Sequence, residues 1–542
     1  MTKADSAFRT PRSKLIWWIL AAVVVFVYFF GLTIPLVGPD EPRYSQVARE
    51  MFERGDWVTP TLGGFNWFEK PALLYWLQIV GYKVFGVNEF AARFGSALFG
   101  LGTVASLWLL GRFFTAETQR RGAEDFANWL ALIAASSIGI IVFSRGASFD
   151  IILTFPMTAA VVGFFIFDLT QRRAKGEIRK NEKPAEINIT SSPRLRVAAP
   201  LFFFYFFIGV ALLAKGLIGI VFPFAIVAFY YLLSWRLPNR TFIFSLIWGT
   251  ILSVVVASAW YLPMYQRHGW AFIDEFFIQH HFQRYTSNKY FHPQPFYFFF
   301  WVLPLMTIPW LPFFVKSIIV CMKRVIGQRP LKEERSINSD IPPVEMRSRN
   351  LLGSFTALIY FSTAWLLVPL VFFSFSGSKL PGYILPAVPP AIILTALSIY
   401  RFVERSDKRV RVIQAVALAT FVTVAGLLLF AVPRFADADS VKGLILAANE
   451  NGYRSENVLT LHTISHNAEF YAAGRLLRDN TGKQKKLLGS AEVLDEIRKN
   501  GGKPALVLVP LEYLKKLEES PLLDSNVLKD NGELAIVYVK GK

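Results

Sequence analysis

The run Leu15 to Val37, LIWWILAAVVVFVYFFGLTIPLV, carries no charge and is long enough to cross the roughly 30 Å hydrocarbon core of a bilayer. No small-residue cleavage site follows it, so it reads as a retained helix rather than a removed signal peptide. Comparable apolar stretches recur near 92–111, 126–143, 151–169, 198–214, 217–234, 242–262, 296–315, 352–373, 382–400 and 412–432, and 71–86 offers a further membrane-embedded helix. With 53% hydrophobic residues and 51 phenylalanines in 542, the chain holds more apolar surface than a soluble core absorbs. These features predict a mainly α polytopic membrane protein of about 11–13 transmembrane helices.

Lysine and arginine concentrate in alternate connections, at 1–14, 112–124, 171–197, 235–241, 316–351 and 401–411. By the positive-inside rule these segments and the N-terminus face the cytoplasm, which accounts for most of the +19 net charge without nucleic acid. The Lys/Arg/Glu/Pro-rich connections 171–197 and 316–351 read as flexible. An odd number of spans then places the C-terminus outside. One cysteine, Cys321, permits neither an internal disulfide nor a cysteine metal cluster. The chain divides into a transmembrane part, 1–432, and a 433–542 segment in which alternating NVLTLHT and PALVLVP mix with helical SAEVLDEIRKNG and LEYLKKLEE. The latter predicts a small α/β soluble domain, accessory because it has no phosphate loop and no nucleophile motif.

The outward segments 38–91, 144–150, the turn at Lys215, 263–295 and 374–381 hold nearly every residue able to do chemistry. In 38–54, Tyr44, Val47, Ala48, Met51 and Phe52 follow helical spacing while Arg43, Gln46, Arg49, Glu50 and Glu53 take the other face, predicting an amphipathic helix on the membrane surface that ends at Gly55. Asp40 and Glu41 suit helix capping equally well. Glu69 and Lys70 precede Pro71, and SRGASFD brings Arg145 and Asp150 into one short turn, where Asp150 also suits a cap. Lys215 interrupts two apolar runs, which marks either a functional charge or a snorkelling one. Residues 260–295 carry four of the six histidines, among them His268, His280 and His281, at spacings that match no tight metal motif. The aromatics of that segment read as an interfacial belt or as sugar platforms. Lys379 stands at the entrance of a span.

Cations and carboxylates gathered on one side at headgroup level suit a reaction on a lipid-linked phosphate. If a sugar rides on a polyprenyl phosphate, breaking its C1–O bond leaves charge on the phosphate, which Lys and Arg stabilise. An acceptor hydroxyl needs a base, for which Asp40 is the best candidate; an acceptor phosphate arrives ionised and needs only orienting. The activated donor supplies the driving force, consistent with the lack of a Walker motif. A transporter of lipid-linked sugar is the alternative of another class, although it predicts paired repeats and midplane charges.

The segments DEPRYSQVAREMFERGDWVTPTLGGFNWFEKPALLYWL, FGVNEFAARFGSAL, SFDIILTFPMTAA, LLAKGLIGIVFPF, HFQRYTSNKYFHPQPFYFF and SGSKLPGYILPAVPP resemble the 4-amino-4-deoxy-L-arabinose transferases of lipid A, within the protein O-mannosyltransferase-like enzymes of the glycosyltransferase C-type fold. The resemblance covers about residues 15–400. It implies Asp40, Asp150 and Glu69 as catalytic residues, and Arg43, Tyr44, Lys70, Lys215, His268, Arg284 and Lys379 as the donor and acceptor site. It implies transfer from undecaprenyl phosphate to lipid A or core lipopolysaccharide on the periplasmic face of a bacterial inner membrane, with inversion, and a periplasmic C-terminal domain. No cofactor is required on this reading, and a divalent metal finds no support in motif spacing. A galacturonosyl or protein O-mannosyl transferase is the nearest enzyme alternative, because the resemblance does not choose the sugar or the acceptor.

Overall fold

The computed structural model describes residues 11–118, 124–174, 193–283, 293–327 and 343–542. Arg284, residues 175–192 of the connection 171–197 and residues 328–342 of the connection 316–351 lie outside these residues. Among the described residues, seven helices are long and apolar enough to cross a membrane, and five further apolar helices are shorter. They run in the order α1 (Pro11–Phe29), α2 (Asp40–Arg54), α3 (Leu73–Phe85), α4 (Glu89–Thr118), α5 (Glu124–Ser136), α6 (Ile138–Phe143), α7 (Phe149–Ala174), α8 (Pro193–Lys215), α9 (Ile218–Leu233) and α10 (Arg240–Ile273). Then come α11 (Phe298–Met306), α12 (Leu311–Gly327), α13 (Pro343–Ser374), α14 (Val388–Val403) and α15 (Asp407–Phe430). Helix α7 is central. Its residues from Phe149 to Leu169 are almost all buried, and α4, α8, α9 and the turn before α14 pack around it.

Three departures from the sequence reading have a common cause, which is how a membrane helix ends. The first apolar run does not remain helical to Val37. It stops at Phe29, and Gly31 turns the chain with φ 70°. The carbonyls released there are taken by arginines from other helices: Arg145 donates to Val27 O at 2.6 Å and to Phe30 O, and Arg93 donates to the carbonyls of Leu32, Ile34 and Pro35. Arg145 is thus turned toward α1. Unpaired backbone groups are costly at membrane depth, and the two guanidinium forks take five carbonyls at and just beyond the helix end.

The expected spans 126–143 and 296–315 are each broken in two. One breaks at Ser137, between α5 and α6, the other after Met306, between α11 and α12. The two breaks face each other. Ile138 N donates to Ile308 O at 2.9 Å, and the Trp310 indole donates to Ser136 Oγ at 3.1 Å. Gly139 admits the approach, since a Cβ there would lie 2.6 Å from Met306 Cβ. Each interruption therefore supplies the partners that the other lacks.

Helix α2 is covered by protein on two sides. Gly55, at φ 65°, does end it, with its N–H on the Met51 and Phe52 carbonyls. Its apolar face packs on α3 as the spacing predicts, but Ser45 and Gln46 are buried too. The cover on its other side is α18 (Ala468–Tyr471), from the C-terminal part of the chain.

That C-terminal part begins with α16 (Val432–Asp439) and α17 (Lys442–Glu450). Its strands are β3 (Asn457–Leu461), β4 (Lys486–Leu487), β5 (Ala505–Pro510), β6 (Leu523–Asp530) and β7 (Leu534–Gly541), after a small β1–β2 hairpin (Thr61–Leu62, Phe65–Asn66) in the membrane part. They form one sheet in the order β4-β3-β5-β7-β6, parallel on the β4-β3-β5 side and antiparallel on the other. Helices α19 (Ser490–Lys499) and α20 (Leu511–Glu518) lie on one apolar face of the sheet, α17 and α18 on the other.

Candidate active site

The site is built where four helix ends meet. Helix α2 begins at Asp40, and Arg43 sits one turn on, where its Nη2 lies 2.5 Å from Asp40 Oδ1. The Arg43 Nε also donates to Pro39 O at 2.9 Å, and its guanidinium covers the Trp67 ring at 5.9 Å. Burial works against the Arg43 charge, but Asp40, Tyr44 and Glu69 outweigh it and hold the guanidinium above its ordinary value. Burial, then Asp40 and Glu69, push the Tyr44 phenol well above its own. Glu69 and Lys70 are half-buried in the loop behind Trp67. The Glu69 charge thus belongs to the surroundings of Arg43 and Tyr44.

Tyr44 carries the site to its second half. Its ring meets Phe149 edge-on at 4.9 Å, and Tyr75 meets the same ring at 5.5 Å. The next residue, Asp150, opens α7 and forms an ion pair with Lys215 at the C-terminal end of α8. Both side chains are mostly buried, at 17% and 15% exposure, so this is not a snorkelling lysine. The Lys215 ammonium lies 4.9 Å from the centre of the Tyr383 ring. Gly382 fits against the carboxylate, for a Cβ there would stand 1.8 Å from Asp150 Oδ2.

Lys379, on the loop after α13, is 7% exposed and donates to Ser376 O at 2.7 Å and Gln294 O at 3.0 Å. Burial pushes its ammonium below the ordinary lysine value. Among the described residues only backbone carbonyls take its hydrogen bonds. A buried cation that lacks a counter-ion is costly, and an incoming anion relieves the cost.

His268 lies to the side, on α10, where Nε2 is 2.9 Å from Thr59 Oγ1 and the ring rests 4.9 Å from Phe68. Arg267 beside it pairs with Asp56 at 2.7 Å. Histidine 268 therefore adjoins the Glu69 loop through Phe68. No three His, Cys, Asp or Glu side chains converge on a metal position among the described residues.

Glu41 proves different from its neighbour Asp40. It is buried and accepts from Arg93 Nε at 3.0 Å, Arg93 Nη2 at 2.6 Å, Ala147 N at 2.7 Å and Val37 N at 3.1 Å. With its lone pairs filled from α4, the α6–α7 turn and the α1–α2 turn, it ties three segments together and has little left for a substrate. Asp40, 48% exposed, keeps most of its capacity. Sequence reasoning did not single out Arg93, Trp67, Tyr383 or His466. The last comes from the C-terminal part and lies within electrostatic reach of Arg43 and Asp40. No motif in that part announces such a role.

Fold and site together define a polytopic membrane protein of the glycosyltransferase C-type fold, with charged groups gathered at one end of its helices. Residues 16–273 match the family model described as dolichyl-phosphate-mannose-protein mannosyltransferase. Curated relatives named undecaprenyl phosphate-alpha-4-amino-4-deoxy-L-arabinose arabinosyl transferase include one from Serratia proteamaculans, 28% identical over 70% of this chain, and one from Aeromonas salmonicida, 27% identical over 73%. The matched region spans 58% and 62% of the length of those two relatives. The crystal structure of ArnT from Cupriavidus metallidurans bound to undecaprenyl phosphate superposes with a TM-score of 0.73 at 21% identity, over 96% of this chain and 97% of that one. Its apo state gives 0.70 at 20% identity, over 98% of each. The chain is thus similar to the undecaprenyl phosphate–aminoarabinose transferases and to the protein O-mannosyltransferase-like group, and it shares the glycosyltransferase C-type fold.

Proposed function

We propose that the protein is an inverting glycosyltransferase that moves a sugar, aminoarabinose as in the names of its relatives, from undecaprenyl phosphate to lipid A or core lipopolysaccharide. The observation that carries this reading is the buried Lys379, which has no carboxylate partner among the described residues, set on the same face as the Asp150–Lys215 and Asp40–Arg43 pairs. On this reading Lys379, Lys215 and Lys70 receive the donor phosphate. Glu69 and Tyr44 shape the sugar pocket around Arg43. His268 borders it.

In the proposed step the acceptor oxygen bonds to sugar C1 from the face opposite the phosphate. The C1–O bond breaks, and its electron pair leaves with undecaprenyl monophosphate, whose added charge the lysines stabilise as it forms. A hydroxyl acceptor gives its proton to Asp40; a phosphate acceptor arrives ionised, and Asp40 with Arg43 orients it. The donor bond supplies the energy, so the reaction as proposed calls for no cofactor and no metal. On this reading the N-terminus lies in the cytoplasm and the site in the periplasm of a bacterial inner membrane, which the distribution of basic connections supports.

The test is transfer by purified protein in proteoliposomes holding undecaprenyl phosphate aminoarabinose and lipid A. Glycosylated lipid A should form, and Lys379→Met should slow its formation about 10²-fold or more. Leaflet exchange of the donor without product would make the protein a transporter.

A further inference from the structure

Three consecutive N–H groups end the turn between α1 and α2, just ahead of Asp40. Each is taken by a different side chain. Leu36 N donates to Tyr471 Oη at 2.8 Å, Val37 N to Glu41 Oε2 at 3.1 Å, and Gly38 N to Asp439 Oδ2 at 3.1 Å. Two of the three acceptors come from the C-terminal part, some 400 residues away in sequence. Gly38 itself is left-handed, at φ 66°, and Pro39 has no N–H to offer, so these bonds are what fixes the approach to the catalytic helix.

Both acceptors are themselves held. Asn467 Nδ2 donates to the same Asp439 Oδ2 at 3.2 Å and to Asp439 O at 2.9 Å, and Tyr471 donates onward to Glu89 Oε1 at 3.1 Å. Lys442 pairs with the same Glu89 oxygen at 2.7 Å. Around this latch the C-terminal part is seated firmly. Phe470 is buried in the core of the membrane part, Arg478 lies against Gly63 and Phe65 against Gly482.

We propose that the C-terminal domain is a positioning element of the active site: Asp439 and Tyr471 hold the Leu36–Gly38 turn and thereby aim Asp40 at the acceptor. This rests on the reading of Asp40 as the acceptor-side catalytic group. Asp439 acts as a hydrogen-bond acceptor, not as a charge, because what it receives is one backbone N–H and one amide. Losing it frees the turn, and a catalytic group displaced by about 1 Å loses up to roughly a hundredfold in rate. The donor phosphate, which meets lysines on other loops, is unaffected.

The experiment uses the full-length protein in proteoliposomes and compares Asp439→Ala, Asp439→Asn, Tyr471→Phe and Asp40→Asn. Readouts are kcat, KM for the donor, binding of undecaprenyl phosphate and melting temperature. Asp439→Ala should lower kcat about tenfold to a hundredfold with donor binding and melting temperature unchanged. Asp439→Asn retains an acceptor oxygen and should restore the rate. Tyr471→Phe should likewise lower kcat with donor binding unchanged, beside the modest fall in melting temperature expected of one orphaned N–H at buried Leu36, and it carries the test if Asp439→Ala fails to fold. Wild-type kcat in Asp439→Ala and Tyr471→Phe beside an inactive Asp40→Asn would overturn the latch and leave Asp40 in place. Equal loss of kcat, donor binding and melting temperature, with no recovery in Asp439→Asn, would make these contacts merely structural. An active Asp40→Asn enzyme would remove the reading beneath the proposal, and the proposal with it.

Discussion

Asp40 and Glu41 are adjacent acids that should fail in opposite ways. Glu41→Ala removes one partner of an ion pair whose other member, Arg93, is 5% exposed at its side chain. Breaking such a pair costs about 3–5 kcal/mol, because the remaining charge stays buried. The same change orphans the N–H groups of Val37 and Ala147, at roughly 1–3 kcal/mol each where water cannot reach them. Arg93 keeps its three backbone carbonyls, which places the expected loss near the lower part of the combined range, about 5–7 kcal/mol. Asp40 is half exposed and makes one pair on its own helix, a geometry that contributes about 0.5 kcal/mol or less. Thermal denaturation of detergent-solubilised protein, followed by size-exclusion chromatography, should therefore show Glu41→Ala aggregating well below wild type. Asp40→Asn should melt with wild type and yet be inactive. If Glu41→Ala kept the wild-type melting profile, or if Asp40→Asn lost stability comparably, the division of labour drawn here would be wrong.

Three further outcomes follow from the geometry. Gly382→Ala puts a methyl carbon onto the Asp150 carboxylate, so transfer should fall at least tenfold while membrane insertion, read by protease protection, stays normal. Lys215→Met leaves Asp150 without its cation and should lower kcat by about 10²-fold; Lys215→Arg, which keeps the charge, should recover part of it, and full activity in Lys215→Met would remove the pair from the mechanism. Desolvation first, then the Arg43 charge, lower the His466 imidazole below its ordinary value, with Asp40 opposing. A histidine lowered on folding favours the folded state fully above about 6.5, and that contribution disappears as pH falls through the lowered value. His466→Gln should accordingly flatten the loss of thermal stability between about pH 7 and pH 5, and an unchanged acid limb would assign that loss to other groups.

What could be read from the sequence follows from what each feature depends on. The membrane class and the series of spans depend on local composition, and the ending of α2 at Gly55 on one residue's conformational freedom; both were legible. Asp40, Arg43, Asp150, Lys215 and Lys379 could be picked out as well, since charge beside apolar runs is conspicuous. Non-local pairing was not. Whether α1 ran to Val37 depended on Arg93 and Arg145, which reach its last carbonyls from 60 to 120 residues away. The breaks at Ser137 and Met306 are tolerable only because they face each other, which neither stretch shows alone. The second cover of α2 was hidden for a similar reason: α18 lies more than 400 residues downstream in a segment without motifs.

The most direct measurement is mass spectrometry of lipid A and core from bacteria that lack this protein, complemented with the wild type, with Asp40→Asn or with Glu41→Gln. Added mass equal to one aminoarabinose, present with the wild type, absent with Asp40→Asn and reduced in proportion to protein level with Glu41→Gln, is the predicted result. Full modification by the Asp40→Asn protein would contradict the account and place the chemistry elsewhere on the outer face.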